Sequence, residues 1–507
     1  MKQDSPPPPL LQIHARLREA ERLRQERMLD KAQAICADLL KAHPDYVGAM
    51  HTLGLIHADR REFEAARLHL SRAAMFNPRD WKILTALAGV YLKLKATEMA
   101  MRTLEQARRL RPDDASILAT LGEIYREERE YELAVEAYEK AFTLDPDLGL
   151  VRLGLARSLT HLGRFAEAAR IFNELARQGE GSLAAVSALS HMPSKFVEID
   201  LMRAIQEVRT APARPQDDVD TSVAFARAAA LDKAKRYQEA WNEISAVNAR
   251  ICVSLADALG KEERSHAKVL DLLNTLARNP RIPDDEASCR SLFILGPSRS
   301  GKTTMEYLAA HLPGVRRGYE NPIVENTIRR TFQGAGLLTR GRLVELPAQL
   351  DPVFRQNYLE ELRERAGAAR IFTNTHPGRI ADAWRLAAAV PGVRFIFIKR
   401  EPYDLALRIY MKHYRSGNAH AYDLAAIFRY IGWYHAVMDG VAARFPEIAR
   451  IISYEDMIEN PRGALAIVAQ LCGVTVPDEL LPDLGDDRGA SLPYRNFMES
   501  ALAQQSF

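Results

Sequence analysis

The chain is patterned in two ways. Through about residue 180 it repeats one helical register, and from residue 289 short apolar runs alternate with helical stretches. In the first region prolines stand at Pro44, Pro78, Pro112 and Pro146, each 34 residues after the last. Ala32, Ala66, Ala100, Ala134 and Ala168 form one column of that register, and Gly54, Ala88, Gly122 and Ala156 form another. Small residues in fixed columns let paired helices approach closely, while a proline closes the second helix and turns the chain. The period therefore predicts an α-solenoid of roughly five helical hairpins over about residues 20–180. After Gly181 the period fades, although residues to about 288 still read as helical. There RYQEAWNEISAVNARI (236–251) looks like one more helix pair, centred on Ala240. RTAPARPQDDVDTS (209–222) reads as a loop, and NPRIPDDEAS (279–288) as the domain boundary.

In the second region SLFIL (291–295), ARIFTN (369–374), VRFIFI (393–398) and ARIISY (449–454) predict strands. Between them TTMEYLAAHL, RIADAWRLAAA, YDLALRIYMKHY and PRGALAIVAQLCG predict helices. Buried strands joined by helices imply a parallel sheet covered on both faces, with ligands at the carboxyl ends of the strands. The expected organisation is a Pro-rich tail (1–9), a repeat array (10–180), a further helical, repeat-like segment (181–288) and an α/β P-loop domain (289–507).

The first strand of that domain runs into FILGPSRSGKTTMEYL, in which Gly296 to Thr303 fit G-x-x-x-x-G-K-[ST]. Glycines at both ends let the backbone curl so that its N–H groups face an anion, and the helix that follows adds its N-terminal dipole. Lys302 brings a mobile charge and Thr303 a hydroxyl. Phosphate binding follows, but ATP hydrolysis does not. A nucleoside triphosphatase needs an acid after a second strand to hold Mg²⁺. Here VRFIFI runs into Lys399-Arg400 and ARIFTN into Thr375-His376, while ARIISY offers Glu455 and Asp456 only after a tyrosine.

Composition narrows the setting. A net charge of +3 on 507 residues argues against nucleic acid as a partner. Cys36, Cys252, Cys289 and Cys472 are scattered, and the histidines lack metal spacing, so neither a disulfide framework nor a metal site is expected. No apolar run approaches a membrane span, and MKQDSPPPPLL lacks the core of a signal peptide. A cytoplasmic protein is expected.

ASILATLGEIYREEREYELAVEAYEKAFTLDP and its companions resemble the tetratricopeptide consensus, whose concave face implies a protein or peptide partner. In the second region three motifs in order resemble the sulfotransferases: FILGPSRSGKTT their 5′-phosphosulfate loop, KREPYDLALRIYMKHY (399–414) their 3′-phosphate motif, and ISYEDMIENPRGALAIVAQLCGV (452–474) their Y-E-D-L stretch. The combination is similar to bacterial tetratricopeptide-repeat sulfotransferases, related to the tyrosylprotein sulfotransferases. That resemblance implies 3′-phosphoadenosine-5′-phosphosulfate as donor, no metal, and a hydroxyl acceptor such as protein tyrosine or a glycan. It implies that Arg299, Ser300, Gly301, Lys302, Thr303 and Thr304 hold the 5′-phosphate and sulfuryl group, Arg400 and Arg408 the 3′-phosphate, and Tyr454 the adenosine. Glu320, nineteen positions after Gly301, matches the glutamate that serves as base in tyrosylprotein sulfotransferases. GASLPYRNF (489–497) resembles the segment that closes over the donor, with Ser491 and Arg495 as the matching residues.

The chain departs from the family at several positions. Lys302 and Arg408 stand where threonine and serine are usual, and Pro322 stands where a substrate-contacting arginine is found. In FTNTHP (372–377) Thr375 replaces the catalytic lysine. Lys302 is the first candidate to supply the missing charge and His376 the second. Two other readings stay open: a non-catalytic repeat scaffold with a degenerate nucleotide-binding domain, and an ATP-dependent P-loop kinase.

Overall fold

Ten helices in five hairpins follow the repeat register in the structure, a computed structural model that describes residues 9–179, 182–208, 216–275, 289–336, 342–414, 417–478, 481–482 and 484–505. The boundary expected at 279–288, and all of the Pro-rich tail but its last residue, lie outside the described residues. The chain divides into two compact units, Met1–Val223 and Ala224–Phe507.

In the first unit the hairpins run from Pro9–Gln25 with Leu29–Ala42 to Gly149–Leu162 with Phe165–Gln178. The alanine column at 32, 66, 100, 134 and 168 is wholly buried. The glycines of the other column are there because nothing larger fits: a Cβ on Gly54 would lie 2.6 Å from Leu70, and one on Gly122 2.8 Å from Tyr138. The turn inside each hairpin adds a column the proline count does not reveal. Arg27, Arg61, Lys95 and Arg129 all take left-handed backbone, with φ of 61–65°, and Gly163 does so at 82°. The following residue closes each helix onto a carbonyl five positions back, as in Glu62 N to His57 O at 2.9 Å. This is the Schellman closure, here made four times without glycine.

The second unit opens with the remainder of the helix Gln216–Lys233 and then a 39-residue helix, Tyr237–Thr275. The stretch 236–251 is therefore not a helix pair in itself. No proline interrupts it, and it continues as one helix, joined to Gln216–Lys233 through a left-handed turn at Lys235.

The sheet consists of β1 (Arg290–Leu295), β2 (Val315–Arg316), β3 (Ile371–Asn374), β4 (Val393–Lys399) and β5 (Ala449–Ser453). Its order is β2-β3-β1-β4-β5, and every pairing is parallel. Alternation along the strands sends residues to two separate cores. Leu292, Ile294, Ile396 and Ile398 pack with Met305 and Leu308 of the helix Lys302–Ala309 and with Leu465 and Val468 of Pro461–Cys472. Phe293, Leu295, Phe395 and Phe397 pack on the other face against Asp351–Ala366 and Leu424–Arg444. The two-residue strand β2 has too little pattern to be read from sequence. Chain connections from β1 run first to the β2–β3 side and later to the β4–β5 side, so the loop after β1 sits where the sheet changes direction.

Candidate active site

The loop between β1 and the helix Lys302–Ala309 leaves no room for side chains at its glycines. A Cβ on Gly296 would lie 2.2 Å from Ser300 Oγ and 2.9 Å from the carbonyl of Ile398. Gly301 has φ 100°, and its Cβ would lie 2.5 Å from the Tyr454 ring. Arg299 is itself left-handed, at φ 71°. No side chain caps the helix at Gly301, and among the described residues the fully buried Ser300 hydroxyl has no hydrogen-bond partner. A helix N-terminus, a buried orphan hydroxyl and nearby cations make a donor set that fits a phosphate or sulfate ester.

Two lysines serve this loop. Lys302 is buried, and its Nζ donates to the Pro297 carbonyl at 3.1 Å. Burial lowers its pKa to about 8, against the pull of Glu320. Lys412, which the sequence motifs did not single out, lies just beyond the helix Pro402–Tyr410 and donates to Ser298 Oγ at 3.4 Å. Burial, with Arg299 and Lys302 beside it, likewise brings it to about 8, and Glu320 again opposes the shift. The half-buried Glu320 carboxylate thus stands in the field of both lysines. The available signal for Lys412 was its place four residues after Arg408, one turn along the same stretch.

At the end of β4, Arg400 is 5% exposed. Its Nη1 donates to the Arg299 carbonyl at 3.0 Å, and its guanidinium lies 4.4 Å over the Tyr454 ring. Its Nη2 donates to the Asp487 backbone carbonyl at 2.7 Å and to Asp487 Oδ2 at 3.0 Å, while its Nε has no partner among the described residues. Arg408 donates through Nε to the same Oδ2 at 3.1 Å and faces Asp232 at 3.7 Å. One carboxylate therefore joins the two arginines expected to hold a 3′-phosphate. The segment carrying it is tied down by Asp404, which accepts the backbone N–H groups of Gly489 and Ser491, each at 2.7 Å.

Glu320 sits in a turn fastened to β3 by buried polar groups. Gly318 N donates to Thr373 Oγ1 at 2.8 Å, and Asn321 Nδ2 donates to the Thr373 carbonyl at 2.9 Å. Asn374 Nδ2 donates to Asn321 Oδ1 at 3.0 Å. Thr375, at the position of the family's lysine, is buried, and its backbone N–H donates to the Tyr319 carbonyl at 2.8 Å.

The other expected residues have definite places. Thr303 and Thr304 lie in the first turn of the loop helix. His376 accepts the Gly378 N–H on Nδ1 at 3.1 Å and pairs through Nε2 with Glu325 at 3.6 Å. Ser491 is buried beneath Asp404. Arg495 lies over the Tyr403 ring and pairs with Glu499 at 2.9 Å and Glu401 at 3.6 Å. Among the described residues no three His, Cys, Asp or Glu side chains gather as a metal-holding group, and no helix is long and apolar enough to cross a membrane.

Residues 291–478 match the model of a sulfotransferase family. Residues 87–148 and 125–190 match two tetratricopeptide repeat models. A search of curated proteins finds no significant match. Among solved structures the chain is similar to a thermophilic TPR protein from Thermus thermophilus, at 21% identity over 33% of this chain and 91% of that one, with a TM-score of 0.31. It is also similar to a tetratricopeptide repeat protein from Parabacteroides merdae, at 17% identity over 47% and 92%, with a TM-score of 0.34. MamA from Desulfovibrio magneticus is 19% identical over 32% and 92%, with a TM-score of 0.28. The loop after β1, the arginine after β4 and Tyr454 all fall inside the matched 291–478, so the chain carries a sulfotransferase-family domain behind tetratricopeptide repeats.

Proposed function

We propose that the C-terminal domain transfers a sulfuryl group from 3′-phosphoadenosine-5′-phosphosulfate to a hydroxyl, and that the repeats bind a protein partner or the acceptor itself. The observation that carries this reading is the family match over the residues that build the loop, with a buried Ser300 hydroxyl that has no hydrogen-bond partner among the described residues, a buried Lys302 and a half-buried Lys412 beside it. The likeness to tyrosylprotein sulfotransferases favours protein tyrosine or a glycan as acceptor. Four cysteines without a bridge among them accord with a cytoplasmic setting.

In this reading the backbone from Arg299 to Thr304 and the Ser300 hydroxyl hold the 5′ end of the donor. Arg400 and Arg408 hold its 3′-phosphate, a task suited to planar guanidinium groups. Tyr454, already stacked on Arg400, flanks the base. The donor's chemistry is that of a phosphosulfate anhydride, whose sulfuryl group passes to the acceptor oxygen. Glu320 takes the acceptor's proton as the new bond forms. Lys302 offers positive charge to the bridging oxygen as the sulfur–oxygen bond of the anhydride breaks and 3′-phosphoadenosine-5′-phosphate leaves, in place of the lysine that Thr375 replaces. Lys412 adds a second cation on the same side.

A non-catalytic scaffold is the second reading, favoured by Thr375 in place of lysine and by Asp487 lying across both arginines. One experiment tests both readings, and the kinase reading with them: calorimetric titration with 3′-phosphoadenosine-5′-phosphate and with ATP–Mg²⁺, on wild type, Arg400→Ala and Lys302→Met. The expected result is a preference for the 3′-phosphorylated nucleotide, lost in Arg400→Ala. Lys302→Met should keep that binding and, in a separate assay with the phosphosulfate donor and p-nitrophenol, lose transfer. A preference for ATP–Mg²⁺ that ignores Arg400 overturns the proposal. Wild-type transfer by Lys302→Met removes Lys302 from it.

A further inference from the structure

Glu306 is a carboxylate with no exposed surface, placed on the loop helix one turn beyond Lys302. A charged residue so deep is retained where its hydrogen bonds are needed. Its Oε1 accepts the backbone N–H of Tyr319 at 2.8 Å and also the Thr373 hydroxyl. Its Oε2 meets Arg317 Nη2 at 3.4 Å. Thr373 Oγ1 in turn accepts the Gly318 N–H. Glu306 and Thr373 thus hold consecutive backbone N–H groups of the turn that leads into Glu320.

That turn needs holding. Tyr319 has φ 54°, left-handed backbone that a bulky residue adopts only when its surroundings impose it. Both of its backbone polar groups are engaged, the N–H by Glu306 and the carbonyl by Thr375 N. The turn is also pressed against β3: a Cβ on Gly318 would lie 2.1 Å from the Thr373 carbonyl. Asn321, on the far side of Glu320, is bonded to Thr373 and Asn374. Glu320 is the residue between these two fastened neighbours.

We propose that Glu306 is a positioning residue, which fixes Tyr319 in its left-handed conformation and so holds the Glu320 carboxylate within electrostatic reach of Lys302 and Lys412. Its consequence for catalysis rests on Glu320 acting as the proton acceptor. Its effect on geometry does not, and the two are tested apart.

The geometric test needs neither donor nor acceptor. Full-length protein carrying Cys252→Ser, which removes the one cysteine that is not buried, receives Glu320→Cys. The pKa of the new thiol is read from the pH dependence of its reaction with iodoacetamide. Beside two lysines it should ionise below the ordinary value of about 8.5. Adding Glu306→Ala should raise that pKa by about 1 unit, because the turn relaxes away from the lysines. Simple loss of a nearby negative charge would lower it, so the sign separates positioning from electrostatics. Glu306→Gln keeps a carbonyl acceptor for Tyr319 N–H while losing the charge, so it should leave the pKa at or below its parent value. Thr373→Val, a change of similar volume, should raise it in the same direction as Glu306→Ala and serves should the alanine variant fail to fold. An unchanged or lowered thiol pKa in a folded Glu306→Ala or Thr373→Val variant overturns the proposal. In the activity arm, sulfuryl transfer to p-nitrophenol, kcat should fall about 100-fold in Glu306→Ala with the donor KM unchanged, and Glu306→Gln should recover most of it. Undiminished transfer by Glu320→Gln refutes the base reading alone and leaves the thiol result to decide the role of Glu306.

Discussion

Each unit sets a glutamate against an arginine and a hydroxyl, half-buried in the repeats and fully buried in the α/β domain, and the two carboxylates shift in opposite directions. In the repeats, Glu123 receives two bonds from Arg126, at 2.8 and 3.0 Å, another from the Tyr138 hydroxyl at 2.9 Å, and Lys93 lies 3.4 Å away. Burial pushes its pKa up, but these partners outweigh burial and hold it at about 2. In the α/β domain, burial also raises the Glu306 pKa, and there burial prevails, because its arginine reaches only one oxygen, at 3.4 Å. The difference lies in how the cation is delivered. Arg126 comes from the same helix three residues on, whereas Arg317 comes from a separate segment. In the α/β domain the buried carboxylate accepts instead one backbone N–H, from Tyr319, and the Thr373 hydroxyl.

The strongest way to break this comparison is Gly122→Val. It forces side-chain atoms into the Tyr138 ring, which a Cβ alone would meet at 2.8 Å, and so pushes the hydroxyl from Glu123. A loss of about 3 kcal/mol is expected in urea denaturation. Glu123→Ala should cost about 2 kcal/mol at pH 7, the pKa displacement discounted for the carboxylate's partial exposure. The sign is set by the depressed pKa. The stabilisation is present above the unfolded value of 4.5 and is lost as pH falls through about 2. The stabilities of mutant and wild type should therefore converge in acid. Glu306→Gln should cost less than about 1 kcal/mol at pH 7 in the same assay. For a raised carboxyl pKa the favourable contribution lies at low pH and fades as pH rises through the folded value, so the glutamine variant should also flatten that dependence. A loss in Glu306→Gln as large as that in Glu123→Ala would mean the two carboxylates are stabilised alike.

The same contrast explains what could be read from the chain. A 34-residue period repeats each packing decision, so the columns at Ala66 and Gly122 announce themselves. The strands were legible because both faces of a parallel sheet are apolar, as in Leu292 to Leu295. The loop glycines were legible because a strand-to-helix loop this tight needs residues without a Cβ at fixed spacing. Asp487 was not, since its partners Arg400 and Arg408 lie about eighty residues away and carboxylates on a loop carry no pattern. Glu306 left one clue, a charge between Met305 and Leu308 on the buried face of a short helix. Only the fold shows that β3 and the 318–321 turn lie against it. The helix pair expected at 236–251 failed for the opposite reason: its composition resembles a repeat, but nothing in it breaks the helix.

If Arg400 and Arg408 hold the 3′-phosphate as proposed, the carboxylate of Asp487 pinned between them gives that site the character of an ion exchanger. An anion arriving at those guanidinium groups meets no bare positive charge. It must trade places with one the chain already carries. Fewer solution counter-ions are then released on binding, so occupancy should respond to ionic strength less steeply than two arginines alone would imply. Discrimination comes from the trade itself: a weakly held monoanion has little advantage over the resident carboxylate, whereas a dianion able to engage both guanidinium groups together does.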